Sequence, residues 1–479
     1  MRRFFCLFAL AACLVSCAQQ SGKTLDLKGE EDLSGLTIAT CTGSYYEQKL
    51  QGREDITLLL TTLETDAVQN VRQGLADVFV GDEVLLTRED QQRLGMKLAF
   101  RGEEAFDVAF ATRKGNEALL RQLDAFIASA PLEDIIAHWI EGTPAPEEPA
   151  YDIQPDAAPL RCICAANLSP ISYIGEGGEW MGMDPDILRR FAHAVGRPFQ
   201  MTYQDLGSAV IALQTGQADL VSCCLFITEE RKKSVDFSIP YYRCHPGYFV
   251  KDAGNKESMG IGERLRMNLV TESRWKLITD GLWETIKITL LSILLGSALG
   301  IGLYAMTKSR RKWLRSAAAV YNWFMAGIPM LVLLLILYYI VFAQSGLDAT
   351  AVAVIAFALN FASGASDVYG SSLDAIPHGQ TEAGLALGFT RLQTFLHIVL
   401  PQAIQRGLPL YQGQCVSLLK GTSIVGYIAI QDLTRAGDLI RSRTFDALVP
   451  LLVVTVIYFL LAWLLGRLIK LAMPKTRAL

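Results

Sequence analysis

The sequence predicts an α/β extracytoplasmic part followed by an all-α membrane part of about five helices. Three observations predict this order. The chain opens with Met1-Arg2-Arg3 and an apolar run from Phe4 to Val15, the charged and apolar regions of an export signal. Residues 34–253 then alternate short β-type runs, such as Thr37-Ile38-Ala39, Val78-Phe79-Val80, Cys162-Ile163-Cys164 and Leu220-Val221-Ser222, with helical patterns. Beyond them, Ile288 to Met306 is a run of nineteen residues without a charge, long enough to cross the hydrocarbon layer.

Bulk properties agree with a chain of two natures. At 479 residues with 51% apolar side chains it is too long for one ordinary domain and too apolar to be wholly soluble. A net charge of -4 with no isolated basic block excludes the footprint of a nucleic-acid binder. Leu14-Val15-Ser16-Cys17 resembles a bacterial lipobox, which implies lipidation of Cys17 and contact with membrane lipid; an ordinary signal with a chance cysteine is the alternative. The remaining exported cysteines lie in apolar runs without histidine partners at metal spacing, so they read as buried small hydrophobes and no metal is expected.

The charge pattern sets the topology. Lys308-Ser309-Arg310-Arg311-Lys312 follows the first span and belongs in the cytoplasm, which places everything upstream outside. Uncharged stretches 316–347, 349–366 and 447–466 give further spans, the last followed by Arg467, Lys470, Lys475 and Arg477, so the C-terminus is expected inside. An outside start and an inside end require an odd number of crossings, and a fifth is placed between Gln402 and about Ile430.

The most informative segment lies in the loop before that fifth span. Glu382-Ala383-Gly384-Leu385-Ala386-Leu387-Gly388, followed after nine residues by Ile398-Val399-Leu400-Pro401, resembles the EAA loop of ATP-binding-cassette (ABC) importer permeases. The neighbouring words Ile376-Pro377-His378-Gly379-Gln380, Leu400-Pro401-Gln402-Ala403 and Leu419-Lys420-Gly421-Thr422-Ser423 are similar to those of the histidine, glutamine and glutamate type of amino-acid permease. The resemblance covers residues 278–479 and implies a MetI-like permease domain. In that family the loop is a cytoplasmic coupling helix for an ATPase subunit, with Glu382, Ala383, Gly384, Gly388 and Pro401 as the matching positions. Gly384 departs from the usual alanine. Two arginine-bearing words of the family are replaced by Ala326-Gly327-Ile328-Pro329 and Asp367-Val368-Tyr369-Gly370, which puts the subfamily in doubt.

No Walker A sequence is present, so ATP and Mg are expected on a separate ATPase chain, no cofactor on this one, and no enzyme activity of its own. A homodimer around one path is expected.

The extracytoplasmic half resembles type II periplasmic solute-binding proteins. Residues 159–253 match the first lobe in order: Asn167 to Tyr173 as its opening loop, Gly182-Met183-Asp184-Pro185-Asp186 as its first helix, Leu213 to Asp219 as a turn before a strand, and Thr228-Glu229-Glu230-Arg231 as its ligand loop. Residues 34–142 look like the second lobe plus the C-terminal part of the first, beginning at Gly43-Ser44 and passing through Gly74 to Asp82. The order is reversed relative to the family, which implies a two-lobed domain that is circularly permuted across the Pro-rich linker 143–158; two decayed tandem domains or lobes exchanged between subunits are the alternatives. Residues 1–17 are then the signal, 18–33 a tether and 254–277 a linker.

The resemblance implies a small ligand, an amino acid first of all. Arg231 would offer two parallel donors to its carboxylate, aided by Thr228 and by Ser44 at a helix N-terminus, while Asp82 would accept from its ammonium group. Tyr173 or Phe226 would supply a stacking face. Taken together the chain reads as the multi-pass inner-membrane subunit of a bacterial ABC importer; the alternative is a ligand-gated channel or ligand sensor built on the same binding fold.

Overall fold

The computed structural model describes residues 25–471 apart from 155, 165–168, 176–178, 205, 223–224, 230, 253–259 and 344. The export signal with Cys17, the first part of the tether, Asn167 and Leu168, Cys223 and Cys224, Glu230 and the last basic residues lie outside the described residues. The chain divides into two units, residues 1–274 with 438–450, and residues 275–437 with 451–479.

The first unit holds two five-stranded sheets. One is built on β1 (Thr37–Cys41), β2 (Thr57–Thr61), β3 (Val78–Asp82) and β4 (Met96–Arg101). The chain continues through β5 (Phe106–Val108) and β6 (Ala111–Arg113), then helices, to the second sheet's β7 (Leu160–Cys164). A short hairpin, β8 (Tyr173–Ile174) and β9 (Trp180–Met181), precedes β10 (Phe199–Tyr203), β11 (Leu220–Ser222) and β12 (Val235–Phe237), and β13 (Tyr242–Cys244) and β14 (Pro246–Lys251) follow. The sheet orders are β2-β1-β3-β14-β4 and β10-β7-β11-β6-β12, with β5 and β13 pairing as a separate antiparallel ribbon.

Each sheet contains a strand contributed by the other stretch of sequence. β14 runs antiparallel between β3 and β4, with Phe249 opposite Phe79 and Tyr248 opposite Val80. β6, from the first stretch, runs antiparallel between β11 and β12. Internal strands are covered on both faces and read as continuous apolar runs, as Gly247-Tyr248-Phe249-Val250 does, with every residue buried. Phe79 stacks on Phe249 with ring centres 5.8 Å apart, and Phe100 stacks on Tyr248 at 4.2 Å.

Helices cover the sheets: α1 (Tyr45–Leu50), α2 (Glu64–Gln73), α3 (Arg88–Leu94), α4 (Glu117–Ser129), α5 (Leu132–Glu141), α6 (Met183–Ala194) and α7 (Leu206–Thr215). α3 starts at Thr87, whose hydroxyl accepts from the Asp90 amide, and ends at Gly95 in the left-handed region. The linker 143–158 is held to α6, since buried Arg190 donates to the carbonyls of Pro146 (2.9 Å) and Glu147 (3.3 Å) and His193 pairs with Glu148 at 2.7 Å. Segment 254–277 is not plain linker: it contains α8 (Ile261–Leu265), and the first membrane-length helix already begins at Trp275. Cys41, Cys162, Cys164 and Cys244 are all buried, as expected of small hydrophobes.

The second unit is helical. α9 (Trp275–Thr307), α12 (Ala349–Asp374) and α17 (Leu448–Leu471) are each long and apolar enough to cross a membrane. Two bent pairs raise the number of crossings to as many as five if each counts as one span. In the first, α10 (Lys312–Gly327) meets α11 (Met330–Ile336) and its continuation to Val341 at 108°, so the uncharged stretch 316–347 is not one straight span. The break falls at Pro329, which has no amide to continue the ladder. In the second, the helix running from Arg391 to Ile428 meets α16 (Leu433–Thr444) at 54°. α9 and α12 pack closely because Gly296 has no side chain: a Cβ there would lie 2.8 Å from the Ala358 carbonyl oxygen. Outward-facing Leu294, Phe459 and Trp463 suit contact with lipid.

Because β6 and β14 each complete the other stretch's sheet, the two stretches should form one body. A protease site inserted at Pro149 should give, after cleavage, an N-terminal fragment that co-purifies with the membrane fragment in mild detergent. Separation of the fragments would instead indicate two independent domains.

Candidate ligand-binding site and coupling loop

Asp82 ends β3 and is buried. Its carboxylate accepts a hydrogen bond from the Tyr46 hydroxyl, so α1 supplies its first partner. Burial pushes the Asp82 carboxyl up to about 7; the Tyr46 hydrogen bond opposes this, and the nearby carboxylates of Glu64, Glu83 and Asp184 add to it. Asp82 is therefore poised to change charge near neutrality, and a cation placed against it would favour the ionised form.

Arg231 begins a short turn after Thr228, whose hydroxyl accepts from the Arg231 amide at 3.2 Å. Thr228 thus holds the arginine's backbone. The guanidinium donates to the Phe226 carbonyl at 3.2 Å and to the Gly43 carbonyl at 3.1 Å. Arg231 and the Gly43-Ser44 turn, far apart in sequence, are brought into direct contact.

Ser44 is placed as expected at the start of a helix but with a different role. Its hydroxyl accepts from the Glu47 amide at 3.2 Å, and the Glu47 carboxylate reaches back to the Gly43 amide at 2.5 Å. The chain's own Glu47 carboxylate thus takes the Gly43 amide, and the Ser44 hydroxyl caps the helix. Phe226 lies in an aromatic cluster with Tyr45, Tyr46 and Phe106, with ring centres 5.3 to 5.8 Å from its own.

Tyr173 makes its ring contacts elsewhere, with its edge to Trp139 at 6.3 Å and its face 4.4 Å from the Arg443 guanidinium. A cleft of about 1030 Å³ lies in the same unit, lined by Glu83, Ser169, Pro170, Tyr242, Glu272 and Arg443 among others. None of the six expected ligand residues lines it; Arg231, Phe226, Asp82 and the Gly43-Ser44 turn are instead linked to one another through the Arg231 guanidinium and the Tyr46 side chain. Tyr46 and Phe106 escaped the sequence reading, although the aromatic pair Tyr45-Tyr46 directly behind Gly43-Ser44 was a usable signal.

The coupling-loop residues form a compact structure of their own. α13 (His378–Ala386) is followed by Gly388 at φ 87°, then by α14 (Arg391–Thr394), a π turn over Phe395–Val399, and α15 (Leu400–Gly421). Thr390 caps α14 in a reciprocal box with Gln393. Gly384 is the buried residue of α13, and a Cβ there would lie 2.5 Å from the Thr394 Cγ2. This close approach explains the glycine where the family has alanine. Gln402 donates to the Gln380 side chain at 3.1 Å, so the sequence words on either side of the loop meet. Pro401 stands just after the π turn, where its missing amide loosens the helical ladder. Glu382 and Ala383 are exposed, as are Leu387 (76%) and Leu392 (67%), giving α13 and its neighbour an apolar face with an acid beside it.

The Asp82 carboxyl yields a pH test. An acid whose folded value lies above its unfolded one loses folding stability as pH rises from about 4 to about 7. Asp82→Asn should therefore raise the thermal midpoint of the ligand-free chain at pH 8 by several degrees and leave it nearly unchanged at pH 4.5.

The family model for bacterial extracellular solute-binding proteins, family 3, matches residues 160–391, starting on β7 and leaving residues 34–142 uncovered. The L-cystine transport system permease protein of Bacillus subtilis is 32% identical over 214 residues, 44% of this chain and 92% of the relative. A probable amino-acid ABC transporter permease protein of Sinorhizobium fredii is 30% identical over 235 residues, 47% of this chain and 96% of the relative. A crystal structure of an amino acid ABC transporter is 28% identical, covering 45% of this chain and 98% of that one at a TM-score of 0.39. The chain belongs to the amino-acid ABC transporter permeases and carries a solute-binding domain fused ahead of its membrane helices.

Proposed function

We propose that this importer subunit takes up a polar amino acid or a related small solute, captured outside the cell by a two-lobed, circularly permuted binding domain. The observation that carries the reading is the exchange of strands: β14 lies within the first sheet and β6 within the second, as one domain with a relocated chain break requires. The match to the binding-protein family beginning at residue 160 supports the same break, since the linker just upstream would join the natural termini. The cystine permease among the relatives favours an amino acid as cargo.

In this reading the ligand enters between the sheets at the Asp82 and Arg231 cluster. The guanidinium exchanges its Gly43 contact for the ligand carboxylate, and Asp82, ionised, takes the ammonium group. Contacts from both sheets favour the closed arrangement, so ligand stabilises it by differential binding. Two copies form the path, about five spans each, with the binding domain extracytoplasmic and the C-terminus cytoplasmic. The exposed face of α13 docks on a separate ATPase, which holds ATP and Mg; Glu382 positions the helix, and Leu387 with Leu392 fills the groove.

The detergent-solubilised full chain should gain roughly 2.7 kcal/mol from a ligand at a hundred times its dissociation constant. Thermal shift against each of the twenty amino acids should reveal one chemical group of binders, with Arg231→Ala lowering affinity at least tenfold. A wild-type chain that responds to none of them would overturn the amino-acid assignment. For a ligand held through its ammonium group, affinity should rise from pH 6 to pH 8 as Asp82 ionises, and Asp82→Asn should flatten that rise. With the ATPase bound, Glu382→Lys should abolish most ligand-stimulated ATP hydrolysis while leaving binding intact; undiminished stimulation would remove the coupling role.

A further inference from the structure

Residues 438–450 belong to the first unit, although the chain reaches them through α16 and leaves them into α17. They are deeply attached there. Phe445, 4% exposed, is part of the same apolar core as Phe79 and Phe249. Asp446 accepts from Arg264 and from Asn268, each at 2.9 Å, and the Thr444 hydroxyl donates to the Asn268 side chain at 2.8 Å. The Thr444 carbonyl accepts from Arg93 on α3 at 2.6 Å, and Arg441 pairs with Asp66 on α2 at 3.4 Å. Arg443 pairs with Glu272 at 3.1 Å, and Glu272 also holds Arg274 at 2.6 Å.

These anchors lie on helices beside the first sheet or on residues 264–274. One contact reaches the other way: the Arg443 guanidinium covers the Tyr173 ring, on the hairpin that follows β7 of the second sheet. The backbone marks the same place. Among the described residues, the non-glycine residues with positive φ are Glu272 (53°), Ser273 (49°), Ala429 (63°) and Phe445 (51°). Three of these four sit at this joint, and such conformations persist where the surroundings over-determine them. Glu272 and Ser273 stand directly before α9, and Phe445 directly before α17.

We propose that Arg443, Glu272 and Arg274, with Phe445 as their buried plug, form a transmission latch that reports cleft closure to α9 and α17. The proposal rests on the binding-domain reading above. Closure of the second sheet toward the first displaces Tyr173 against Arg443, which touches both sides. Arg443 passes the displacement through Glu272 to the strained residues that begin α9, and through its own backbone to Phe445 and α17. Tyr173 is thereby a positioning residue of the latch, distinct from the ligand contacts.

The test uses the full chain with its ATPase in lipid nanodiscs and an equimolar mixture of the twenty amino acids as probe. Arg443→Gln should lower amino-acid-stimulated ATP hydrolysis at least tenfold toward the basal rate, while the half-saturating concentration for binding moves less than twofold. Tyr173→Leu should do the same; a parallel loss of affinity would return Tyr173 to the ligand site and overturn its part in the latch. Stimulation retained in Arg443→Gln would overturn the latch as a whole. Hydrogen exchange supplies an arm that needs no ligand: Glu272→Gln should speed exchange at the amides of residues 443–446 at least tenfold, and unchanged exchange would also overturn the proposal. A wild-type chain that binds nothing from the mixture would sink the amino-acid reading alone, with the latch then decided by exchange.

Discussion

The pairing of β14 between β3 and β4 is the constraint on which the first unit depends. Without it the first sheet is split in two, with β3 and β4 left with unpaired edges and the Phe79 and Phe100 rings without their stacking partners. The same strand comes after β4 to β13 in the chain and precedes the membrane helices, so a strand made late completes the sheet begun by β1 to β3. Such a non-local pairing closes late and favours folding of both stretches as one body.

The polar cluster follows from where the strands end. Asp82 stands at the end of a buried strand, and that position, more than any single neighbour, raises its carboxyl. Tyr46 and Arg231, far apart in sequence, both reach Phe226, the first through its ring and the second through the Phe226 carbonyl. The coupling loop shows a similar economy in the membrane part, where one absent methyl group at Gly384 and one hydrogen bond between Gln380 and Gln402 fix α13 against the start of α15.

Much of this was legible in the sequence. Uncharged length located the membrane-length helices, the glutamate, glycine and proline spacing located the short helix of residues 378–386 and the turn after it, and the strand-like runs at Ile38, Phe79, Ile163 and Val221 marked internal strands. Other features were hidden for physical reasons. Pro329 sits in an apolar run whose hydropathy does not register a 108° change of direction. Ser44 read as an anion donor because the reach of Glu47 back to Gly43 is a matter of side-chain geometry. Tyr173 read as a ligand contact because its partner, Arg443, lies far along the chain on a stretch that charge counting assigns to a loop. Residues 438–450 likewise carry no local sign that they belong to the first unit, whose core holds Phe445.

The short path from Lys251 to Trp275 has a consequence for supply. A free binding protein must find its permease by diffusion and competes with every other copy for it. Here capture and delivery are intramolecular, so the effective concentration of the binding domain at its own membrane helices is set by chain length and is independent of expression level. Uptake by such a subunit should saturate with solute alone, and raising the number of molecules in the membrane should raise the maximal rate in proportion without shifting the solute concentration at which it is half reached.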